Sequence, residues 1–77
     1  MLDIDTIQRG MYYTHIRSNI TYRLIDFVEC LDPFTGSFYN GVYYKSTADN
    51  KGYCMNKHNF CRVFTDLKYN PNNTILL

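Results

Sequence analysis

Tryptophan is absent from this chain, proline occurs twice and glycine four times in 77 residues. That composition excludes collagen-like and Pro/Gly-rich low-complexity chains. Cysteine is scarce and odd in number, with Cys30, Cys54 and Cys61. A disulfide-stapled secreted domain would show an even count. Charge of either sign is in no excess: eight Lys and Arg face seven Asp and Glu. The basic residues Arg9, Arg17, Arg23, Lys45, Lys51, Lys57, Arg62 and Lys68 are scattered, and no run of them forms a phosphate-binding stripe. No apolar run approaches the ~20 residues of a membrane-spanning helix, so no membrane partner is expected. A basic segment followed by an apolar stretch, the mark of a secretory signal, is missing at the N-terminus. The expectation is a cytoplasmic protein with free thiols. Asn19-Ile20-Thr21 and Asn72-Asn73-Thr74 then fit the glycosylation pattern by chance. No internal repeat and no cofactor motif stands out.

What the chain does have is aromatic rings. They make up 17% of its residues, as eight Tyr and five Phe. The length allows one domain, and a domain this small buries only about 60% of the surface its unfolded chain exposes. Each ring can remove roughly 150–250 Å² from water, so a few rings can build a core that a short aliphatic list could not.

The order of residues predicts mostly β structure. Leu2, Ile4 and Ile7 sit in a short N-terminal arm that Gly10 ends by taking a left-handed conformation. Met11 to Arg17 is rich in β formers and predicts a first strand, with Ser18-Asn19 as a turn. Ile20 to Leu31 reads two ways. As a strand it alternates until Leu24-Ile25, where a β-bulge would absorb the slip. As a helix it carries Ile20, Leu24, Phe27, Val28 and Leu31 at helical spacing. The β-branched and aromatic content favours the strand.

Asp32-Pro33-Phe34-Thr35-Gly36 is a turn, with Pro presetting one dihedral and Gly supplying a positive φ. Phe38 to Ser46 predicts a long strand with Gly41 at a bulge or bend. Asp49-Asn50-Lys51-Gly52 turns again, and Tyr53 to Met55 returns. Asn56 then caps a helical turn over 57–61, and 62–67 closes the sheet. Residues 1–69 would form one domain, and Asn70-Pro71-Asn72-Asn73 would break it before an apolar Thr74–Leu77 tail. The expected architecture is a small antiparallel meander, an SH3-like barrel of about five strands with a short helical turn, because curling limits exposed edges.

Gly10 followed by Tyr12, Tyr13 and His15, then Tyr22-Arg23-Leu24, Gly41-Val42-Tyr43-Tyr44, and Phe60 with Phe64 resembles a group of small uncharacterised bacterial and phage domains. Those domains open on Gly-x-Tyr-x-His, run as a β meander and look like SH3-type barrels. The likeness spans roughly residues 7–67. High Tyr and Asn content and small size also resemble accessory proteins of tailed phages. The resemblance implies a protein that binds and redirects a host protein. It transfers no catalytic residue.

Three kinds of chemistry compete for the remaining signals. Cys54, His58 and Cys61, with Cys30 or His15 as a fourth ligand, are the metal candidate. Zinc takes such ligands in a tetrahedron, but no Cys-x2-Cys pair is present, and Cys30 and Cys61 fit equally well as small buried apolar residues. The expectation is no metal. Cys54 with His58 and Asn59 is the arrangement a thiol enzyme would need, a thiolate beside a base and an orienting group. A domain this small offers little volume for a water-excluding pocket.

Tyrosine surplus is the third signal. If Tyr12, Val42 and Tyr44 face the core, then Tyr13, Tyr39 and Tyr43 face outward. Exposed Tyr offers broad contact area and a hydroxyl at low entropic cost, although ordinary cross-strand pairs would also account for it. The leading expectation is a non-enzymatic protein-binding module. The first alternative is a nucleic-acid-binding barrel in which Arg17, Arg23 and Lys45 flank Tyr13 and Tyr43. A zinc- or thiol-dependent enzyme is the second. Exposed sheet edges also leave room for a homodimer.

Overall fold

The structure is a computed structural model that describes residues 2–67. The expected break at residues 70–73 and the apolar Thr74–Leu77 tail lie outside the described residues. Strand β1 spans Tyr12–His15, β2 Thr21–Leu31, β3 Phe38–Ser46 and β4 Gly52–Asn56; helix α1 spans Lys57–Val63 and β5 Phe64–Asp66. The five strands form one antiparallel sheet in the order β4-β3-β2-β1-β5.

The ambiguous segment is a strand, and its slip is resolved as the alternation requires. Leu24 pairs with Tyr44 and Asp26 with Tyr43, so the register shifts across Ile25. One extra residue thereby puts Phe27, like Leu24, on the face that carries Val42 and Tyr44. The turn after β2 also forms as its residues dictate. Asp32 Oδ1 accepts from the Phe34 amide at 2.9 Å, Gly36 N donates to Asp32 O at 2.8 Å, and Gly36 has φ +72°.

Asn56 stops β4 and starts the helix, its side chain accepting from His58 N at 2.8 Å. At seven residues α1 could not persist alone. It holds because Phe60 and Cys61 are buried. The core is one cluster on one face of the sheet: Leu2 and Ile7 from the arm, Tyr13, Leu24, Val42 and Tyr44 from the strands, and Phe60, Cys61 and Phe64. Phe60 and Phe64 stack with ring centroids 4.1 Å apart, and Tyr44 meets both.

Two expectations need correction. The barrel does not close, because β4 and β5 remain the two edges of the sheet. Helix α1 joins those edges directly and packs on β3, β4 and β5, so a helix occupies the seam where strand pairing would close a barrel. Of the bulge or bend expected at Gly41, the bulge does not form. It stays in register with Val28 and Asn56, and its missing side chain serves a close approach described below.

The β2–β3 hairpin outruns the rest. Eleven residues of β2 extend about 36 Å at roughly 3.3 Å each, and the molecule measures 46 × 25 × 21 Å. Beyond Gly41 and Val28 neither β1 nor β4 flanks the hairpin. Glu29–Leu31 and Phe38–Asn40 therefore form a two-stranded arm.

Candidate binding surface

Pairing assigns each side chain to a face. Leu24 pairs with Tyr44 and Phe27 with Val42 on the core side. Arg23 pairs with Lys45, Asp26 with Tyr43 and Cys30 with Tyr39, and these alternate onto the outer side. Of the five residues singled out for binding, Arg23, Tyr39, Tyr43 and Lys45 thus share the outer face.

Tyr13 does not. It pairs with Tyr22 and is only 4% exposed. Its hydroxyl accepts from Gln8 N at 3.0 Å, and its ring meets Phe60 edge-on at 5.6 Å. Tyr12 takes the outward place instead, opposite Arg23, whose guanidinium carbon lies 5.7 Å from the Tyr12 ring centre. Two adjacent tyrosines are interchangeable by pattern; the partner strand's register decides between them.

The outer residues differ in freedom. Tyr43 is half-buried and lies against Gly52, where an added Cβ would stand 2.6 Å from the phenol oxygen. Arg23 Nε donates to Gly10 O at 3.3 Å, and Arg9 approaches Asp26 at 3.6 Å. Tyr39 is exposed, and its phenol titrates above its ordinary range, chiefly from desolvation and then from the neighbouring Cys30.

The metal candidate comes apart. Cys54 is exposed on β4, with Cys30 as its thiol neighbour at 3.3 Å, while Cys61 is buried in the core and His58 is exposed on α1. Burial, more than the nearby Asp3, pushes the Cys61 thiol up, with Lys57 opposing. His15 Nδ1 meets both the amide and the hydroxyl of Ser18 at 3.2 Å, and its ring stands edge-on to Phe64. Among the described residues no three Cys, His, Asp or Glu side chains gather as a metal would require.

The most prominent apolar surface lies at the end of the arm, on residues other than those that the sequence pattern singles out for binding. At the arm's end Leu31 pairs with Phe38, and these are 55% and 66% exposed. Phe34, on the connecting turn, is 96% exposed. Nearer the core, Phe27 lies under Lys57, with Nζ 4.8 Å from the ring centre. A signal for this surface existed: a Phe between Pro33 and Gly36 sits on a turn, and a turn at the end of a two-stranded arm cannot reach the core. No helix among the described residues is long and apolar enough to cross a membrane. The chain matches no protein-family model, no curated protein and no solved structure.

Proposed function

We propose that this chain is a non-enzymatic protein-binding module that docks through the free end of the β2–β3 hairpin. The observation that carries the reading is Phe34, almost fully open to water between Leu31 and Phe38 on an arm that contributes nothing to the core. Large apolar side chains clustered at a tip have no folding role to balance their exposure. Anchors of this kind, seated in a partner's pocket, supply most of the energy of an interface. The partner is a protein with an apolar pocket wide enough for one phenyl ring and two flanking side chains. The tyrosines of the outer face, Tyr39 above all, extend the contact. In keeping with the resemblance, the reading is of a phage-type accessory protein that engages a host protein in the cytoplasm.

Affinity capture from the native cell tests this with tagged wild type, Phe34→Asp with Phe38→Asp, and Arg23→Ala with Lys45→Ala. The expected result is a partner retained by wild type and by the basic-pair variant, and lost by the arm variant while its far-ultraviolet spectrum is unchanged. Equal capture by all three overturns the reading. Binding to single-stranded DNA or RNA that falls steeply with salt and is lost only in the basic-pair variant would move the function to the Tyr12–Arg23–Lys45 face.

A further inference from the structure

Cys30 and Cys54 stand on β2 and β4, strands that are not neighbours, because β3 runs between them. Cys30 pairs with Tyr39 and Cys54 with Tyr43, so in a flat sheet the two would stand about 9.5 Å apart across the strands and about 13 Å apart along them. Here the two Sγ atoms are 3.3 Å apart. The reason lies beneath them. Gly41 occupies the intervening position on β3, and a Cβ there would meet Cys30 Sγ at 2.5 Å. The absent side chain opens a slot across the central strand, and the two thiols enter it from opposite sides. Tyr39 lies opposite Cys30 in the register.

We infer that Cys30 and Cys54 form a dithiol site that a small disulfide oxidant converts to an intramolecular disulfide crossing over Gly41. Cys54 is the exposed member and Cys30 the half-buried one, which sets the order of events with oxidised glutathione. The Cys54 thiolate attacks one glutathione sulfur and releases the other as reduced glutathione, leaving a mixed disulfide. The Cys30 thiolate then attacks Cys54 Sγ and expels the second reduced glutathione. The protein gives up two protons and two electrons, and the oxidant is reduced to two thiols.

The bond needs the sulfurs about 1.2 Å closer than their present 3.3 Å, at the usual S–S length of about 2.05 Å. Because the cysteines straddle a third strand, closing that distance draws β2 and β4 together. Reduced glutathione returns the pair to thiols by the same two exchanges run in reverse. Burial, together with the Cys30 thiol, pushes the Cys54 thiol up. Oxidised, the site ties the β4 edge to the root of the docking arm.

Peptide mapping tests this, because trypsin separates all three cysteines: Cys30 falls in 24–45, Cys54 in 52–57 and Cys61 in 58–62. The full chain is treated with oxidised glutathione, alkylated and digested. The expected result is a cross-linked peptide joining 24–45 to 52–57, with Cys61 alkylated and the link lost on adding reduced glutathione. Cys30→Ser should stop at glutathione on Cys54. Gly41→Ala, with all cysteines in place, should lose the cross-link because its methyl displaces Cys30. A wild-type chain that keeps its thiols, stops at the mixed disulfide, or links through Cys61 or to a second chain overturns the site. Partner capture is scored on the reduced protein, so neither result decides the other.

Discussion

Phe60 shows how much a single ring does here. It is fully buried, stacks on Phe64 at 4.1 Å, and meets Tyr13 and Tyr44. Truncating a buried Phe to Ala costs about 3–5 kcal/mol, from lost burial plus the cavity left behind. A domain of this length has roughly 4–12 kcal/mol in total. Phe60→Ala should therefore remove about a quarter or more of the stability, seen as a lower urea midpoint, or should leave the chain unfolded in water. An unchanged midpoint would show that the stack is not the centre of the core. At this scale the sequence was partly legible. Val42 and Tyr44 are buried as their alternation with Tyr43 implied. Tyr12 and Tyr13 exchanged roles because β1 spans only four residues, too few for period alone to decide which ring is inside. Gly41 could be read as special, but not why. Its contacts come from Cys30 and from the backbone of Met55, and no local pattern brings those residues together.

At the scale of elements, the local signals were the dependable ones. The Asp-Pro-Phe-Thr-Gly turn, the strand Phe38–Ser46 and the Asn56 cap all form where short-range chemistry puts them. Asn56 is the sharpest case, since it ends β4 and accepts an orphan amide of α1 at 2.8 Å. Asn56→Ala should destabilise the domain by about 1 kcal/mol, and Asn56→Asp should keep most of the cap. The check is the denaturation midpoint of the three proteins side by side; equal midpoints would mean the helix is held by Phe60 and Cys61 alone. Where local and long-range demands conflicted, the sequence left the choice open. Residues 20–31 carry helical spacing and strand composition together. Pairing with β3 along nearly its whole length decides for β2, with Ile25 as the residue left over. Barrel closure was overestimated for a related reason. The meander order was readable, but the helix between β4 and β5 fills their gap, and that packing depends on Phe60 meeting Phe64.

For the molecule as a whole, one covered face and one bare arm explain both stability and the candidate site. The arm's apolar tip was not foreseen, because a count of rings cannot say which ones the core leaves out. The covered face has its own signature. Tyr44 packs against Tyr22, Tyr53, Phe60 and Phe64, and burial there, reinforced by the neighbouring Tyr22, Cys54 and Tyr53, pushes its phenol up to about 12. Tyr22 is raised as well, first by burial and then by Tyr53 and Asp49. In the unfolded chain both phenols ionise near their ordinary value of about 10. Below that pH neither state has lost the proton, and stability is independent of these groups. Above it the unfolded chain releases protons that the folded one still holds, so the unfolded state gains and stability falls as pH rises from about 10 through about 12. Urea midpoints should therefore begin to fall near pH 9, where the unfolded chain first releases the protons of the raised Cys61 and Cys54 thiols, and drop further beyond about 10, with phenolate absorbance at a given pH lower in the folded than in the unfolded protein. Tyr44→Phe removes the more strongly shifted phenol while keeping its ring, and should flatten most of the drop beyond about pH 10, leaving the parts due to Tyr22 and to the two thiols. A decline of equal slope in Tyr44→Phe and wild type would mean that the buried phenol does not govern the alkaline limit.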